Sequence, residues 1–416
     1  MAAAASASIC ASRKTEWADW NYLTSYGQSL SVGWTAKPVV TEKQEKGGLY
    51  MFRGGVRAYE NGSDRKMLVP LEEGVNGPRG ETPVSGAACR LFRLMQHYSP
   101  VTASRLICSA TGVGGASLGS LGRGTGAYNR ILDDLKAAKI LADREGKTLS
   151  MPAFIWTQGE TDHQDRKTRE WYREKMEKLI RDINHDARAV TGQKNDVVCF
   201  GYQVGSHLNY YQFNPTDYPA IALEQLEMAL EKDSRYVMTT PMYHFEYSDG
   251  VHLTAPMSRL YGEYVGYVMK KVLLDGADWK PVHPLTHKIR KSGKGWTVEV
   301  AFYAPCPPLV LDTKTVDDPG NYGFSLVGAE GEDIAIKSVR LVGKNAVQLL
   351  TEKDPGKGRL RYGMTINEHR PSGPRTGARG CLRDSQGDEV KAHIQGKDYR
   401  MDNWCPFFDY SLSKGH

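Results

Sequence analysis

Between about residues 19 and 275 short apolar runs alternate with longer segments of helical period, and no other feature constrains the chain as strongly. The runs WNYLTSY, SRLICSA, PAFIWTQ, DVVCFGYQV and RYVMTTP have the length and residue types of buried strands. Between them Tyr128, Ile131, Leu132, Leu135 and Ala138 fall on one helical face, as do Tyr172, Met176, Leu179, Ile180 and Ile183, and later Leu223, Leu226 and Leu230. Pro256 suits the first turn of a last helix through Leu260, Tyr264 and Tyr267. Strand and helix in alternation predict β-α units around a parallel sheet, hence an α/β fold. Ligands of such sheets bind outside the carboxyl ends of the strands. The loops after the five runs are therefore where chemistry is expected.

Near DGADWKPVHPLTHK the pattern changes to short β-rich runs split by Gly, Pro, Asp and Lys turns, including GWTVEVAFYA, YGFSLVG and IAIKSVRLVG. A length of 416 residues exceeds the ~250–300 at which one core stops growing. Three segments are expected: a flexible leader over residues 1–16, an α/β domain over 17–276 and an all-β sandwich over 281–416. No internal repeat is visible.

Composition narrows the function classes. No apolar run approaches the ~18 residues of a membrane span, and MAAAASASICASRK has neither the basic nor the strongly apolar part of a secretory signal. Seven scattered cysteines without a C-x-x-C pair suggest neither a disulfide framework nor a zinc site. The net charge of +6 is interspersed, apart from mildly basic stretches such as HKIRKSGKGW and RPSGPRTGARGCLR. Such a surface argues against nucleic acid as partner and leaves room for weak attraction to anionic polysaccharides.

Four loops of the α/β half hold the residues of interest. In SYGQSLSVG, Ser29 follows an apolar run and a glycine, which puts a hydroxyl and its backbone N–H on a tight turn at a strand end. In SATGVGGASLGS, Gly114 and Gly115 let backbone N–H groups approach a ligand; the spacing fits neither a dinucleotide fingerprint nor a P-loop. In WTQGETDHQ, the Gln158 carboxamide follows the strand, Gly159 gives the turn and Glu160 braces it. In YSDGVHLTAP, Asp249 lies three residues before His252, so its carboxylate can fold back onto Nδ1 and leave Nε2 free to take a proton. Each loop alone reads as an ordinary turn. Together they supply the nucleophile, base, orienting acid and oxyanion donors that acyl transfer needs.

In this order GQS, the Gly-Gly pair, QGETD and DGVHL resemble the blocks of the SGNH hydrolases, in particular the branch of sialate O-acetylesterases and other carbohydrate acetylesterases, with similar domains in phage tail proteins that deacetylate bacterial polysaccharides. The resemblance spans roughly residues 20–275 and implies a three-layer, flavodoxin-like parallel sheet flanked by helices. It implies Ser29 as nucleophile, His252 as general base and Asp249 as its partner, with an oxyanion hole from the N–H groups of Ser29 and Gly115 (or Gly114) and the Gln158 side chain. It also suggests that Glu160 and Glu81 line the site. One residue departs: the branch reads Gly-Gln-Ser-Asn, and Leu30 stands in place of the asparagine.

The expected activity is that of a serine esterase removing acetyl groups from a carbohydrate, with no cofactor. A metal site built on His244, Glu246 and His252 lacks the H-E-x-x-H spacing. The competing class is an inactive glycan-binding or phage tail structural protein on the same fold, with Trp296, Tyr303 and Trp404 as a carbohydrate platform. A tail protein would be a homotrimer, and a virion or extracellular location is compatible with the sequence.

Overall fold

The computed structural model describes residues 15–45, 47–60, 62–75, 79–98, 101–293, 295–364 and 371–413. Most of the expected leader lies outside the described residues. The α/β half holds β1 (Trp20–Gly27), β2 (Leu49–Phe52), β3 (Leu68–Pro70), α1 (Pro83–Met95), β4 (Arg105–Ala110), α2 (Gly126–Arg144), β5 (Leu149–Thr157), α3 (Glu160–Gln164), α4 (Arg169–Thr191), β6 (Val198–Gln203), α5 (Ala220–Leu230), β7 (Tyr236–Pro241) and α6 (Ala255–Met269). The five expected strands and the periodic helices are all present.

The seven strands form one sheet in the order β3-β2-β4-β1-β5-β6-β7, parallel except for β3. The chain adds β2 and β4 on one side of β1 and then crosses to add β5, β6 and β7 on the other. β1 is thus the central strand at the switch point, and the loop after it opens into the crevice where ligands of such sheets bind. β1 and β5 are buried along their whole length, which explains why they read as unbroken apolar runs rather than as alternation.

The period of two still sorts side chains to the faces. Leu23, Ala153, Ile155 and Phe200 join a core with α1 and α6, whereas Tyr22, Tyr26, Phe154 and Trp156 join another with α2 and α4. Small residues let α1 and α6 touch: a Cβ at Gly262 would lie 2.7 Å from the Cα of Gly86. The short strands β2 and β3, at one side of the sheet, carry no signal in the sequence because three or four residues have no measurable period.

The rest of the chain is antiparallel. It comprises β8 (His283–Ser292), β9 (Gly295–Tyr303), β10 (Val310–Leu311), β11 (Phe324–Val327), β12 (Asp333–Ile334), β13 (Ile336–Val342), β14 (Ala346–Thr351), β15 (Arg359–Tyr362), β16 (Leu382–Arg383), β17 (Lys391–Ile394), β18 (Lys397–Arg400) and β19 (Phe408–Ser411). One four-stranded sheet runs β13-β14-β9-β8 and another β12-β11-β15-β19. Phe302 of the first meets Phe408 of the second, which stacks on Tyr362. Val298, Val300, Leu326, Val347 and Leu360 fill the same core.

The two parts also share buried contacts. Gln203 at the end of β6 exchanges two hydrogen bonds with the Phe407 backbone, and the Tyr243 hydroxyl donates to the Cys405 carbonyl. No described helix is long and apolar enough to cross a membrane.

Candidate active site

Ser29 opens a short 3-10 turn (Ser29–Val32) directly after β1 and Gln28. Its Oγ lies 2.7 Å from His252 Nε2, and His252 Nδ1 lies 2.7 Å from Asp249 Oδ2. The spacing of three works because the loop folds back on its own carboxylate. Asp249 Oδ1 accepts from the backbone N–H groups of Val251, at 3.0 Å, and His252, at 2.7 Å, while Oδ2 faces the ring. Ser248 closes the loop by donating its N–H to the His252 carbonyl, and Tyr247 pairs with Leu253 just before α6 begins.

Burial pushes the Asp249 carboxyl up, but the hydrogen bonds from the His252 backbone, the His252 ring and the Val251 backbone outweigh it and hold the group below the ordinary carboxylate value. The acid therefore stays ionised beside the imidazole. With a carboxylate at Nδ1, the ring carries its proton there and presents a lone pair to the Ser29 hydroxyl.

Across the nucleophile stands the loop after β4. Val113, Gly114, Gly115 and Ala116 form a turn closed by the Ala116 N–H on the Val113 carbonyl, with Gly115 at φ +68°. Glycine takes that left-handed backbone angle without the strain a side chain would bring. A Cβ at Gly114 would sit 4.0 Å from the Ser29 Cβ. Among the described residues the backbone N–H groups of Ser29, Gly114 and Gly115 have no hydrogen-bond acceptor. All three residues line one cleft of about 880 Å³ with Gln28, Trp34, Arg79, Tyr210 and His252.

Residues 86–269 match the family model described as carbohydrate esterase, sialic acid-specific acetylesterase. The matched stretch is thus similar to carbohydrate esterases of this kind. Among solved structures the chain is similar to a carbohydrate acetylesterase from Xanthomonas citri, at 14% identity and a TM-score of 0.53, over 85% of this chain and 79% of that one. That coverage exceeds the α/β half, so the likeness in fold extends into the β-rich part. NanS is similar at 12% identity and a TM-score of 0.44, over 62% of this chain and 98% of that one. A protein from Arabidopsis thaliana is similar at 15% identity and a TM-score of 0.44, over 60% of this chain and 97% of that one. No curated protein matches the chain in sequence.

Of the residues singled out in the sequence, Ser29, Asp249, His252, Gly114 and Gly115 come together in the structure, and three other candidates stand elsewhere. Gln158 is fully buried behind the cleft wall. Its Nε2 donates to Asp162 Oδ2 at 2.7 Å and to the Ala116 carbonyl at 3.4 Å, so its amide hydrogens are taken up by α3 and the glycine turn rather than facing the cleft. Glu160 is buried under the Tyr202 hydroxyl, and burial, partly opposed by that hydrogen bond, pushes it up to about 7.

Glu81 is buried between the Val40 and Thr41 N–H groups and the Thr41 hydroxyl. Burial, with the charge of neighbouring Glu73, raises it. It anchors the strip that follows the nucleophile turn and does not line the cleft. Leu30 points into the α/β core, which accounts for an apolar residue there.

Sequence reasoning passed over Trp34, Arg79, Tyr210 and Asp162. Tyr210 lies in the loop after β6, exactly the kind of position the strand-end rule marks. Asp162 sits inside QGETD, accepts from Gln158 and from the Leu118 N–H, and is pushed up to about 6 by burial. Of the residues weighed as a metal set, His244 is buried, 2.9 Å from the Thr240 hydroxyl and stacked on Trp404, while His252 faces Ser29. Among the described residues no group of three or more His, Cys, Asp or Glu could hold a metal ion. Trp404 is thereby buried, and the Tyr303 ring packs beside His283.

Proposed function

We propose that the protein removes O-acetyl groups from a carbohydrate through an acetyl-enzyme on Ser29. The observation that carries this reading is the unbroken chain of contacts from the Asp249 carboxylate through both nitrogens of His252 to the Ser29 hydroxyl, each 2.7 Å long, beside N–H groups without acceptors.

Ser29 Oγ attacks the acetyl carbonyl carbon as His252 Nε2 takes its proton. Negative charge gathers on the carbonyl oxygen, where the N–H groups of Ser29, Gly114 and Gly115 receive it. Collapse of this intermediate breaks the bond to the sugar oxygen, which leaves with the proton from His252. Water then attacks the acetyl carbon, gives its proton to His252 and frees acetate, and the proton returns to Ser29. Asp249 stays ionised and steadies the imidazolium formed twice per cycle.

The family description of residues 86–269 supports a carbohydrate leaving group, with sialic acids first among the candidates. The test is acetate release from a panel of O-acetylated sialic acids and polysaccharides by the wild type and by Ser29→Ala. Release by the wild type alone supports the reading. Equal release by both, or labelling of Ser29→Ala by a fluorophosphonate as fast as the wild type, would remove Ser29 from its role.

A further inference from the structure

Trp34 is 45% exposed, and it lines the cleft that holds Ser29 and His252. Its ring centre lies 6.5 Å from that of His252, so the indole stands beside the Ser29–His252 pair. The indole is held firmly for so exposed a group. Its backbone N–H donates to the Ser29 carbonyl at 3.1 Å, and the turn between them closes at Gly33 in the left-handed conformation. On its other flank the Thr35 hydroxyl meets the Ser248 hydroxyl at 2.9 Å, next to Asp249. The Arg79 guanidinium, tied to Glu60 at 2.8 Å, sits 5.4 Å from the indole centre and fixes the ring as a cation on an aromatic.

The nucleophile turn and the acid-base loop thus both grip the backbone that carries this ring, while the ring stays open to the cleft. Large aromatic surface is stabilising when covered, so an indole held bare at a reaction centre is suited to be covered by the substrate. The remaining rim of the cleft, Ser117, Ser120, Thr161, Gln164, Asp165 and Tyr210, offers hydroxyls, an amide and a carboxylate. An apolar plate facing polar hydrogen-bonding groups matches a sugar ring, which has a flat C–H face and hydroxyls around its edge.

We infer that Trp34 is the plate on which the sugar ring of the leaving group rests while its acetyl ester reaches Ser29, making it a specificity-determining residue. This rests on the reading of the protein as a carbohydrate acetylesterase. It predicts discrimination between esters of ring-shaped and small alcohols, because only the former cover the indole.

The experiment compares Trp34→Ala and Trp34→Phe with the wild type on two substrates: an O-acetylated methyl glycopyranoside, and ethyl acetate, whose leaving group has no ring. Trp34→Ala is expected to lower kcat/KM on the sugar ester about tenfold, mainly through KM, the size of one lost aromatic contact. Ethyl acetate should change by less than about twofold, and Trp34→Phe should keep most of the sugar activity. Circular dichroism and thermal melting show whether the variants fold, and Trp34→Leu, which keeps bulk without an aromatic face and should lose sugar-ester activity as Trp34→Ala does, carries the test if the alanine variant does not fold.

An unchanged preference for the sugar ester in a folded Trp34→Ala overturns the inference. So does an equal fall on both substrates, which would mean that the ring acts through His252. A wild type that cleaves ethyl acetate and no sugar ester overturns the functional reading itself, a result distinct from either of these.

Discussion

The Ser29 hydroxyl and the His252 imidazole meet at 2.7 Å although 223 residues separate them, because β1 and β7 run parallel and the loops after them leave the same edge of the sheet. If the three residues act as one unit, removing any member disables the whole. Ser29→Ala and His252→Ala should each lower kcat about 10⁶-fold, and Ser29→Ala/His252→Ala should be no worse than either single variant. Asp249→Asn leaves the shape but takes away the charge at Nδ1, and a loss of about 10⁴-fold is expected. Steady-state kinetics on a soluble acetate ester read all four. Additive losses would mean that the residues work separately.

Gly250 adopts φ +85° between the acid and the base, and a Cβ there would lie 2.7 Å from Asn209 Nδ2 and 2.9 Å from the Pro371 side chain. Gly115 has a similar angle, but nothing lies within 4 Å of its missing Cβ. Gly115→Ala therefore meets backbone strain alone, about 1–2 kcal/mol, whereas Gly250→Ala must also push apart the β6 loop and the β-rich part of the chain. Gly250→Ala is expected to lose more kcat than Gly115→Ala and to melt at a lower temperature. Kinetics and thermal melts of the two folded variants, compared side by side, check the ranking.

Gln158 holds Ala116 and Asp162 rather than the cleft, so its removal should act through the glycine turn. Gln158→Ala frees the Ala116 carbonyl and leaves the Asp162 carboxylate, among the described residues, with the Leu118 N–H as its one hydrogen-bond donor. Turnover should fall about 10- to 100-fold, less than the ~100- to 1000-fold typical of an oxyanion donor. KM should change little. Gln158→Glu, which sets a second carboxylate against Asp162 in a buried place, should fare worse than alanine. Kinetic constants of both variants test this, and a loss of 1000-fold or more in Gln158→Ala would return the amide to the oxyanion hole.

Much of this arrangement was legible in the sequence because each signal was local. WNYLTSY, PAFIWTQ and RYVMTTP announced buried strands by their apolar runs, and the strand-end rule then singled out Ser29, Gly114, Gly115 and the Asp249 loop. What the sequence withheld is direction. Gln158 sits in the right loop, yet whether its amide faces the cleft or the wall depends on Asp162 and Ala116, which compete for it from within the fold. Glu81 reads as a charge near the site because nothing local tells that Val40 and Thr41 fold over it. Trp34 was passed over for a similar reason: its exposure is set by Arg79 and the Gly33 turn, and no periodicity marks it.

The response of stability to pH follows from opposed groups packed around α3. Burial pushes His163 down to about 4 and His207 down to about 3, while burial pushes Glu160 up to about 7 and Asp162 to about 6. For the histidines the folded value lies below the unfolded ~6.5, so their contribution is present above that pH and is lost as pH falls toward 3. For the two acids the folded value lies above the unfolded ~4, so their contribution is present below that pH and is lost as pH rises through 6 to 7. The two trends cancel in part between pH 6.5 and about 4.5, and below that, of these four groups, the histidines still change, joined by carboxylates such as Asp249 whose folded value is held low. Urea melts taken across pH should therefore show a shallow profile down to about 4.5 and a steep loss beneath it. His207 packs edge-on against His163 and Phe407, so His207→Phe keeps an aromatic ring and removes one titrating group. That variant should shift the steep acid limb to lower pH while leaving the Ser29 chemistry in place. An acid limb identical to that of the wild type would show that other groups drive the loss.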